Sequence, residues 1–527
     1  MPTESDNSPH EPRNLIRFWA CLVVGVTIWF SPVPNGLNEQ AWHVFAVFAA
    51  TIVSFLLRPL PMGVCVLLGL LVLAATGSLA PSFLTWAEQQ GHELPQASTI
   101  DVSFIDPLYI ELQGKYSEKI IVLSLQGALK GFANTTVWLV VAAFLISGAM
   151  IHSGLGRRLA LMMVAALGRT TLGLGYAIAA AEFLLGPFIP SNTARGGGVM
   201  MPIVNSICRV LGSEPHREPK RAGEYLVLCG AHLNLITAAM FLTGMAANPL
   251  VSAAAKDFLD VEFGWGMWIK GAIVPGLVSL ALLPVLLYWL ARPQLTDARE
   301  AQASIRSELK ELGPWSAQQV TMAVVLVLML LLWATGPLQE KHFDLKLPTA
   351  LVALGGVATL VVLGVLPYSK VTGNAAAWDT LLWLGGLVTM AGALKTTGFV
   401  DWFASGVQSG IGTTTGIAAA LLLAVVYFYS MYAFSMLTGH ILALAGVFFT
   451  VAAALGAPPL VTVALVAYFS NLCGCTTNYS TGPVVIYFGL GYVPIGRWFW
   501  IGFLVSLFHL VVWIGVGLAW WKMIGWW

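Results

Sequence analysis

The sequence predicts an all-α polytopic membrane protein, with about eleven spanning helices and two re-entrant hairpins set in inverted repeats. Three observations predict it. The 527 residues are 57% hydrophobic and only 10% charged, against about 25% charged in an ordinary soluble domain, so their apolar surface cannot all be hidden from water. The apolar residues come in blocks long enough to cross a hydrocarbon core of about 30 Å, which takes roughly 20 residues of helix each. The two halves of the chain also match each other at a nearly constant displacement.

The blocks fall at 15–32, 41–58, 62–80, 137–153, 172–189, 197–212, 225–250, 268–291, 317–335, 348–366, 377–394, 414–434, 440–456, 459–490 and 499–521. If every block crossed, the basic loops would alternate sides. With 172–212 and 414–456 entering and leaving on one face as hairpins, the loop arginines collect on one side, the cytoplasmic one by the positive-inside rule. That layout puts the N-terminus in the cytoplasm and the C-terminus on the opposite side of the membrane. Trp19, Trp29, Trp498, Trp500, Trp520, Trp521, Trp526 and Trp527 stand at block ends, where amphipathic rings favour the headgroup region. Residues 1–13 lack the positive start and short apolar core of a cleaved signal, so the first helix is expected to stay as an anchor. The six cysteines lie in or beside apolar blocks and read as small hydrophobes. A net charge of +1 points to no nucleic acid. Two polar stretches interrupt the blocks: 81–136, read as an extracytoplasmic loop after the N-terminal helices, and 292–316, whose helical spacing and mixed charge read as a cytoplasmic linker helix. The chain thus divides into 1–136, a first repeat 137–291, the linker 292–316 and a second repeat 317–527.

The repeat is legible in residues. Placing VWLVVAAFLISGAMIHSGLGRRLA (137–160) over LLWLGGLVTMAGALKTTGFVDWFA (381–404) matches Gly148 with Gly392, Ala149 with Ala393 and Gly154 with Gly398. One residue more aligns PSNTARGGG (190–198) with SMLTGHILA (435–443), so that Thr193 falls on Thr438, Ala194 on Gly439 and Arg195 on His440. In the layout above the first copy runs outward-to-inward and the second the reverse. Inverted repeats with broken helices meeting near mid-bilayer are a recurrent plan of secondary transporters.

Four apolar-flanked stretches carry helix breakers at membrane depth: PFIPSNTARGGG (187–198), NLITAAMFLTGMAANP (234–249), FSMLTGH (434–440) and SNLCGCTTNYSTGP (470–483). Unpaired amides in lipid cost several kcal/mol each, so such loops survive only where they line a cavity or are buried in protein. Hydroxyls, amides and half-helix N-termini suit an anion. The candidate ligands are Ser191, Asn192, Thr193, Arg195, Thr237, Thr438, Gly439, His440, Thr476, Thr477 and Asn478. Arg195 offers a planar fork for a carboxylate, and His440 a donor whose charge can change near neutral pH. No metalloprotease, nucleophile-elbow or phosphate-loop motif stands in this context, so an enzyme is not expected.

FIPSNTARGGGVMMPIV, AMFLTGMAANPL and GCTTNYSTGPVVIYFG resemble the divalent anion:sodium symporter family, in its bacterial branch of 2-oxoglutarate/malate, citrate/succinate and tartrate/succinate translocators. The resemblance implies two hairpins tipped by Ser-Asn-Thr, a dimerising scaffold that includes 1–136, an elevator-type transport domain, and small di- or tricarboxylate substrates. Ser191, Asn192 and Thr193 keep the first tip, whereas Met436 and Leu437 replace Ser and Asn in the second and only Thr438 remains. Na⁺ in such a carrier would sit near Ser191, Asn192 and Gly244; the degenerate second tip puts one sodium site in doubt, and no other cofactor is expected. Fixed cations at Arg195 and His440 in place of Na⁺ would make the protein an obligate exchanger, with sodium-coupled symport as the alternative and an anion channel or oxyanion permease behind it. The expected partners are a carboxylate and its counter-substrate, the lipid bilayer and a second copy of the chain.

Overall fold

The computed structural model describes residues 12–82, 85–86, 89, 107–345, 347–403 and 415–527. Every regular element longer than an isolated bridge among them is helical. Eight helices among the described residues are long and apolar enough to cross a membrane, and four shorter apolar ones (Leu15–Phe30, Met62–Ala75, Thr171–Leu185, Thr349–Val362) accompany them. The protein is therefore an all-α polytopic membrane protein, and it divides into two compact units.

The first unit is Met1–Val137 with Asp379–Phe403. It contains α1 (Pro12–Phe30), α2 (Glu39–Leu57), α3 (Met62–Ala75) and α4 (Pro107–Leu129), each packed on the one before. Asn38 caps α2 by accepting the Ala41 N–H at 2.7 Å, satisfying one of the donors a helix start leaves orphaned. Helix α4 corrects the reading of 81–136 as a loop. Glu111, Gln113, Lys115, Glu118 and Lys119 break up its apolar pattern, yet Leu112 and Ala128 are buried and Ser124 Oγ donates to the Leu73 carbonyl at 3.0 Å. Residues 90–106 of that stretch lie outside the described residues. The segment 379–403, expected in the second repeat, belongs to this unit. It approaches 131 so closely that a Cβ on Gly131 would overlap the Gly385 carbonyl, and Thr389 Oγ1 accepts the Gly131 N–H at 3.0 Å.

The second unit is Trp138–Trp378 with Ala404–Trp527. In order it holds most of α5 (Thr135–His152), α6 (Leu155–Leu167), α7 (Thr171–Leu185), α8 (Met201–Val210) preceded by π-helical turns Ala194–Met200, α9 (Gly223–Met240), α10 (Asn248–Leu259), α11 (Trp265–Ala291) and α12 (Arg299–Glu311). After it come α13 (Ala317–Ala334), α14 (Gly336–Phe343), α15 (Thr349–Val362) and α16 (Tyr368–Thr372); α17 (Ala375–Thr396) starts here and passes into the first unit. The series ends with α18 (Gly416–Ser430), α19 (Leu437–Ala454), α20 (Pro459–Leu472), α21 (Gly482–Gly489), α22 (Ile495–Leu510) and α23 (Gly517–Met523).

Within this unit one pattern occurs twice. A 15-residue helix, α7 or α18, begins after a threonine, Thr170 or Thr415, and returns through a break as α8 or α19. A following helix, α9 or α20, breaks in turn and restarts as α10 or α21. The copies interlock: α9 packs on α20, the π-helical turns before α8 pack on α21, and α19 packs on α10. The stretch 292–316 contains α12, which buries Ala301, Gln302 and Ile305 against α6 and α8. Arg158 fastens its end, donating to the carbonyls of Leu312, Gly313 and Pro314 at 3.1, 2.9 and 3.2 Å.

Candidate functional site

The breaks place the candidate residues because backbone there has no helical partner and must find another. In the first hairpin Ser191 starts the returning helix. Its Oγ accepts the Ala194 N–H at 3.1 Å, and its carbonyl accepts the Arg195 N–H at 2.9 Å. In the second hairpin the returning helix starts at Leu437, whose N–H donates to the Ser480 carbonyl at 3.0 Å. The adjacent residue, Thr481, accepts a hydrogen bond from Asn192 Nδ2 at 3.1 Å. Both tips are therefore tied to the same pair of residues in the α20–α21 break. Gly482 is required there, since a Cβ on it would overlap the Thr193 side chain.

The helix starts at Asn192, Leu437 and Gly482 are consequently neighbours. The fourth start, Asn248 of α10, is linked to α20 by Asn471 Nδ2, which donates to Asn248 Oδ1 at 2.8 Å. Asn248 Nδ2 in turn donates to the carbonyls of Ala238 and Phe241 at 2.8 and 3.0 Å, and the Phe241 carbonyl also accepts the Gly244 N–H at 2.7 Å. Each start carries roughly half a positive charge. Gly439 is buried, yet a Cβ on it would meet nothing within 4 Å, so the second tip borders free space. Thr477 Oγ1 is buried without a hydrogen-bond partner, whereas Thr476 Oγ1 is committed to the Cys473 carbonyl at 2.8 Å. Ser191, Thr193, Thr438 and Asn478 are half-buried.

Arg195 and Thr237 stand elsewhere, and here the structure corrects the sequence reading. Arg195 is 0% exposed and offers no free fork to a substrate. Its Nε lies 2.7 Å from Glu182 Oε2. Its Nη1 donates to the carbonyls of Ile189 and Gly244 at 2.8 and 2.9 Å, and Nη2 reaches the Asn234 carbonyl and Thr237 Oγ1 at 3.4 and 3.3 Å. A buried cation demands this many partners. Thr237 belongs to the same cluster, donating to Glu182 Oε2 at 3.2 Å. The Gly244 carbonyl, placed by the sequence among the oxygens near which Na⁺ would sit, thus faces a guanidinium N–H. Among the described residues no group of three or more His, Cys, Asp or Glu could hold a metal ion.

His440 is also fully buried and turned into its own hairpin. Its Nε2 lies 2.8 Å from Ser430 Oγ and 3.1 Å from the Tyr427 carbonyl. Ser430 already donates to that carbonyl at 2.7 Å, so Nε2 carries the proton and Nδ1 is the bare acceptor. Nδ1 has no partner.

The sequence reading missed Glu182 and Tyr427, and held Ser470, Ser480 and Thr481 only as members of the string 470–483, not as candidate ligands. Glu182 left a signal: a carboxylate inside the apolar run AIAAAEFLLG is as costly in a membrane as the arginine that drew notice. Tyr427 left none, because a tyrosine is common in buried helices.

Comparison with known proteins identifies the family. The family described as "Sodium:sulfate symporter transmembrane region" matches residues 13–527. A putative malate transporter, YflS, of Bacillus subtilis (strain 168) is 38% identical over 528 residues, covering 100% of both chains. An L-tartrate/succinate antiporter of Escherichia coli (strain K12) is 32% identical over 506 residues, 96% of this chain and 97% of that one. In fold the chain is similar to the Alcanivorax borkumensis YdaH transporter, with a TM-score of 0.52 at 17% identity, covering 88% of this chain and 98% of that one. The chain belongs to the sodium:sulfate symporter family, the divalent anion:sodium symporters, and is a multi-pass membrane transporter rather than an enzyme.

Proposed function

We propose that the protein is a secondary carrier that exchanges small dicarboxylates, with tricarboxylates as larger alternatives, across a bacterial inner membrane. The observation that carries this reading is the joining of both hairpin tips to Ser480 and Thr481. It gathers helix starts around one stretch that also holds the unpartnered Thr477 hydroxyl. The three helix starts gathered there, at roughly +0.5 each, supply about +1.5, most of the charge that a dicarboxylate needs. The names of relatives point the same way, one a malate transporter and one a tartrate/succinate antiporter.

Exchange follows from what the empty carrier would carry. Without an anion, the helix starts and the Thr477 hydroxyl would cross the bilayer uncompensated, at a cost of several kcal/mol for each unmet group. The Arg195 guanidinium, held by Glu182, already occupies the Gly244, Ile189 and Asn234 carbonyls, so no mobile cation is needed to order the first tip. Return is then favoured only with a second anion aboard. In this reading the tips move as an elevator between two faces, the N-terminus is cytoplasmic, the C-terminus periplasmic, and the carrier is a homodimer. Sodium-coupled symport is the second reading, favoured by the buried amide oxygens of Asn234 and Asn471, which accept no hydrogen bond and stand near the ends of α9 and α20.

The test is uptake of labelled malate into proteoliposomes, loaded or not with malate and with or without a Na⁺ gradient. Exchange predicts uptake only into loaded vesicles, indifferent to Na⁺. Sodium-driven uptake into empty vesicles would replace it with the second reading. Succinate, 2-oxoglutarate, tartrate and citrate as competitors then identify the acid.

A further inference from the structure

The two hairpins carry a matched pair of polar braces that the tip residues alone do not reveal. Displaced by the same 245 residues that relate Thr170 to Thr415 and α7 to α18, Glu182 corresponds to Tyr427 and Arg195 to His440. In each hairpin these two positions touch. Glu182 pairs with Arg195 at 2.7 Å; the Tyr427 carbonyl accepts from His440 Nε2 at 3.1 Å, with their rings 4.3 Å apart. The correspondence extends to the next helix, where Asn234 of α9 and Ser470 of α20 are related by the 236 residues that separate the helix starts Gly223 and Pro459. Asn234 Nδ2 donates to both oxygens of Glu182 at 3.1 and 3.0 Å. Ser470 Oγ lies 2.7 Å from the Tyr427 hydroxyl and itself donates to the Val466 carbonyl at 2.6 Å, so the tyrosine O–H is the donor. All six residues are buried.

We infer that Glu182 and Tyr427 are positioning residues for the transport site: each holds the basic side chain behind its own tip and a polar side chain in the next helix, and thereby fixes where the tip amides stand. The path in the first hairpin is short, since Asn234 Nδ2 also donates to the carbonyl of Asn192 at 3.3 Å, inside the tip. In the second, Tyr427 joins the hairpin to α20, the helix that ends at the break carrying Thr477, Ser480 and Thr481. One brace is ionic and the other neutral. Loss of either moves the tip and not the chemistry of any group that meets the anion.

This inference rests on the tips being the anion site, and Tyr427→Phe tests it mildly, removing one hydroxyl while keeping the ring and the carbonyl that holds His440. In reconstituted exchange, Tyr427→Phe is expected to raise the KM for the preferred dicarboxylate about tenfold, equivalent to about 1.4 kcal/mol, with Vmax within about threefold. Tyr427→Phe with Ser470→Ala should be no worse than the first change alone, since the two groups act as one contact. Glu182→Gln should raise KM in the same sense, and Glu182→Asp, shorter by one methylene but still charged, should recover part of it. An unchanged KM in Tyr427→Phe beside an active wild type, or a loss confined to Vmax and melting temperature, would overturn the inference and leave Tyr427 as packing. Should Glu182→Gln fail to insert, Tyr427→Phe alone still decides. A wild type that exchanges no carboxylate would instead refute the proposed function.

Discussion

Arg195→Met strands the Glu182 carboxylate in a site that is 0% exposed on both side chains. Breaking a buried pair by removing one partner costs about 3–5 kcal/mol, because the remaining charge stays desolvated. The Ile189 and Gly244 carbonyls also lose their donors, at about 1 kcal/mol each, giving a loss of about 5–7 kcal/mol. Adding Glu182→Leu removes the stranded charge but not the two carbonyl terms. The double variant should therefore be more stable than Arg195→Met by about 3 kcal/mol, about 6 °C at roughly 2 °C per kcal/mol. Thermal unfolding in detergent, with urea midpoints as a second measure, reads this difference. A double variant no more stable than Arg195→Met would refute the ion pair as the feature that holds the first hairpin together.

Further outcomes follow from the same geometry. Gly482→Ala drives a methyl into Thr193, and overpacking of about 1–3 kcal/mol at the junction of the first tip with the α20–α21 break should reduce exchange at least tenfold in counterflow. Asn248→Ala uncovers the Ala238 carbonyl, leaves the Phe241 carbonyl with the Gly244 N–H alone, and removes the Oδ1 that accepts from Asn471 Nδ2, so a loss of about 1–3 kcal/mol is expected by thermal melting. His440→Gln keeps a donor toward Tyr427 and Ser430 and should preserve KM within about threefold, while His440→Ala should raise it; equal effects would assign His440 to packing alone. Arg158→Lys replaces a planar fork, which holds three carbonyls of 312–314, by a point charge, and should speed proteolysis of the 292–316 segment.

What the sequence disclosed and what it hid divide along physical lines. The breaks were legible because proline, glycine and hydroxyl residues at membrane depth have few reasons to be there, and all four strings, 187–198, 234–249, 434–440 and 470–483, coincide with interruptions between helices. Arg195 was legible as exceptional but not in its direction. Its partner Glu182 lies thirteen residues upstream, and only the fold of the hairpin shows that the two limbs bring them together. The same holds for His440, whose donor turns to Ser430 and not toward the tip. Helix α4 escaped because its polar positions diluted the apolar run, and the partition of 379–403 into the first unit escaped because tertiary contact leaves no mark in a one-dimensional pattern.

The central claim is that one anion is held between the two hairpin tips, and a structure determined with bound succinate tests it most directly. The account predicts one carboxylate within about 3 Å of the amides at 191–193 and the other beside 438–440, with the Thr477 hydroxyl turned toward the ligand and Arg195 still paired with Glu182. Succinate bound away from the tips, or Arg195 released from Glu182 to grip a carboxylate, would contradict it.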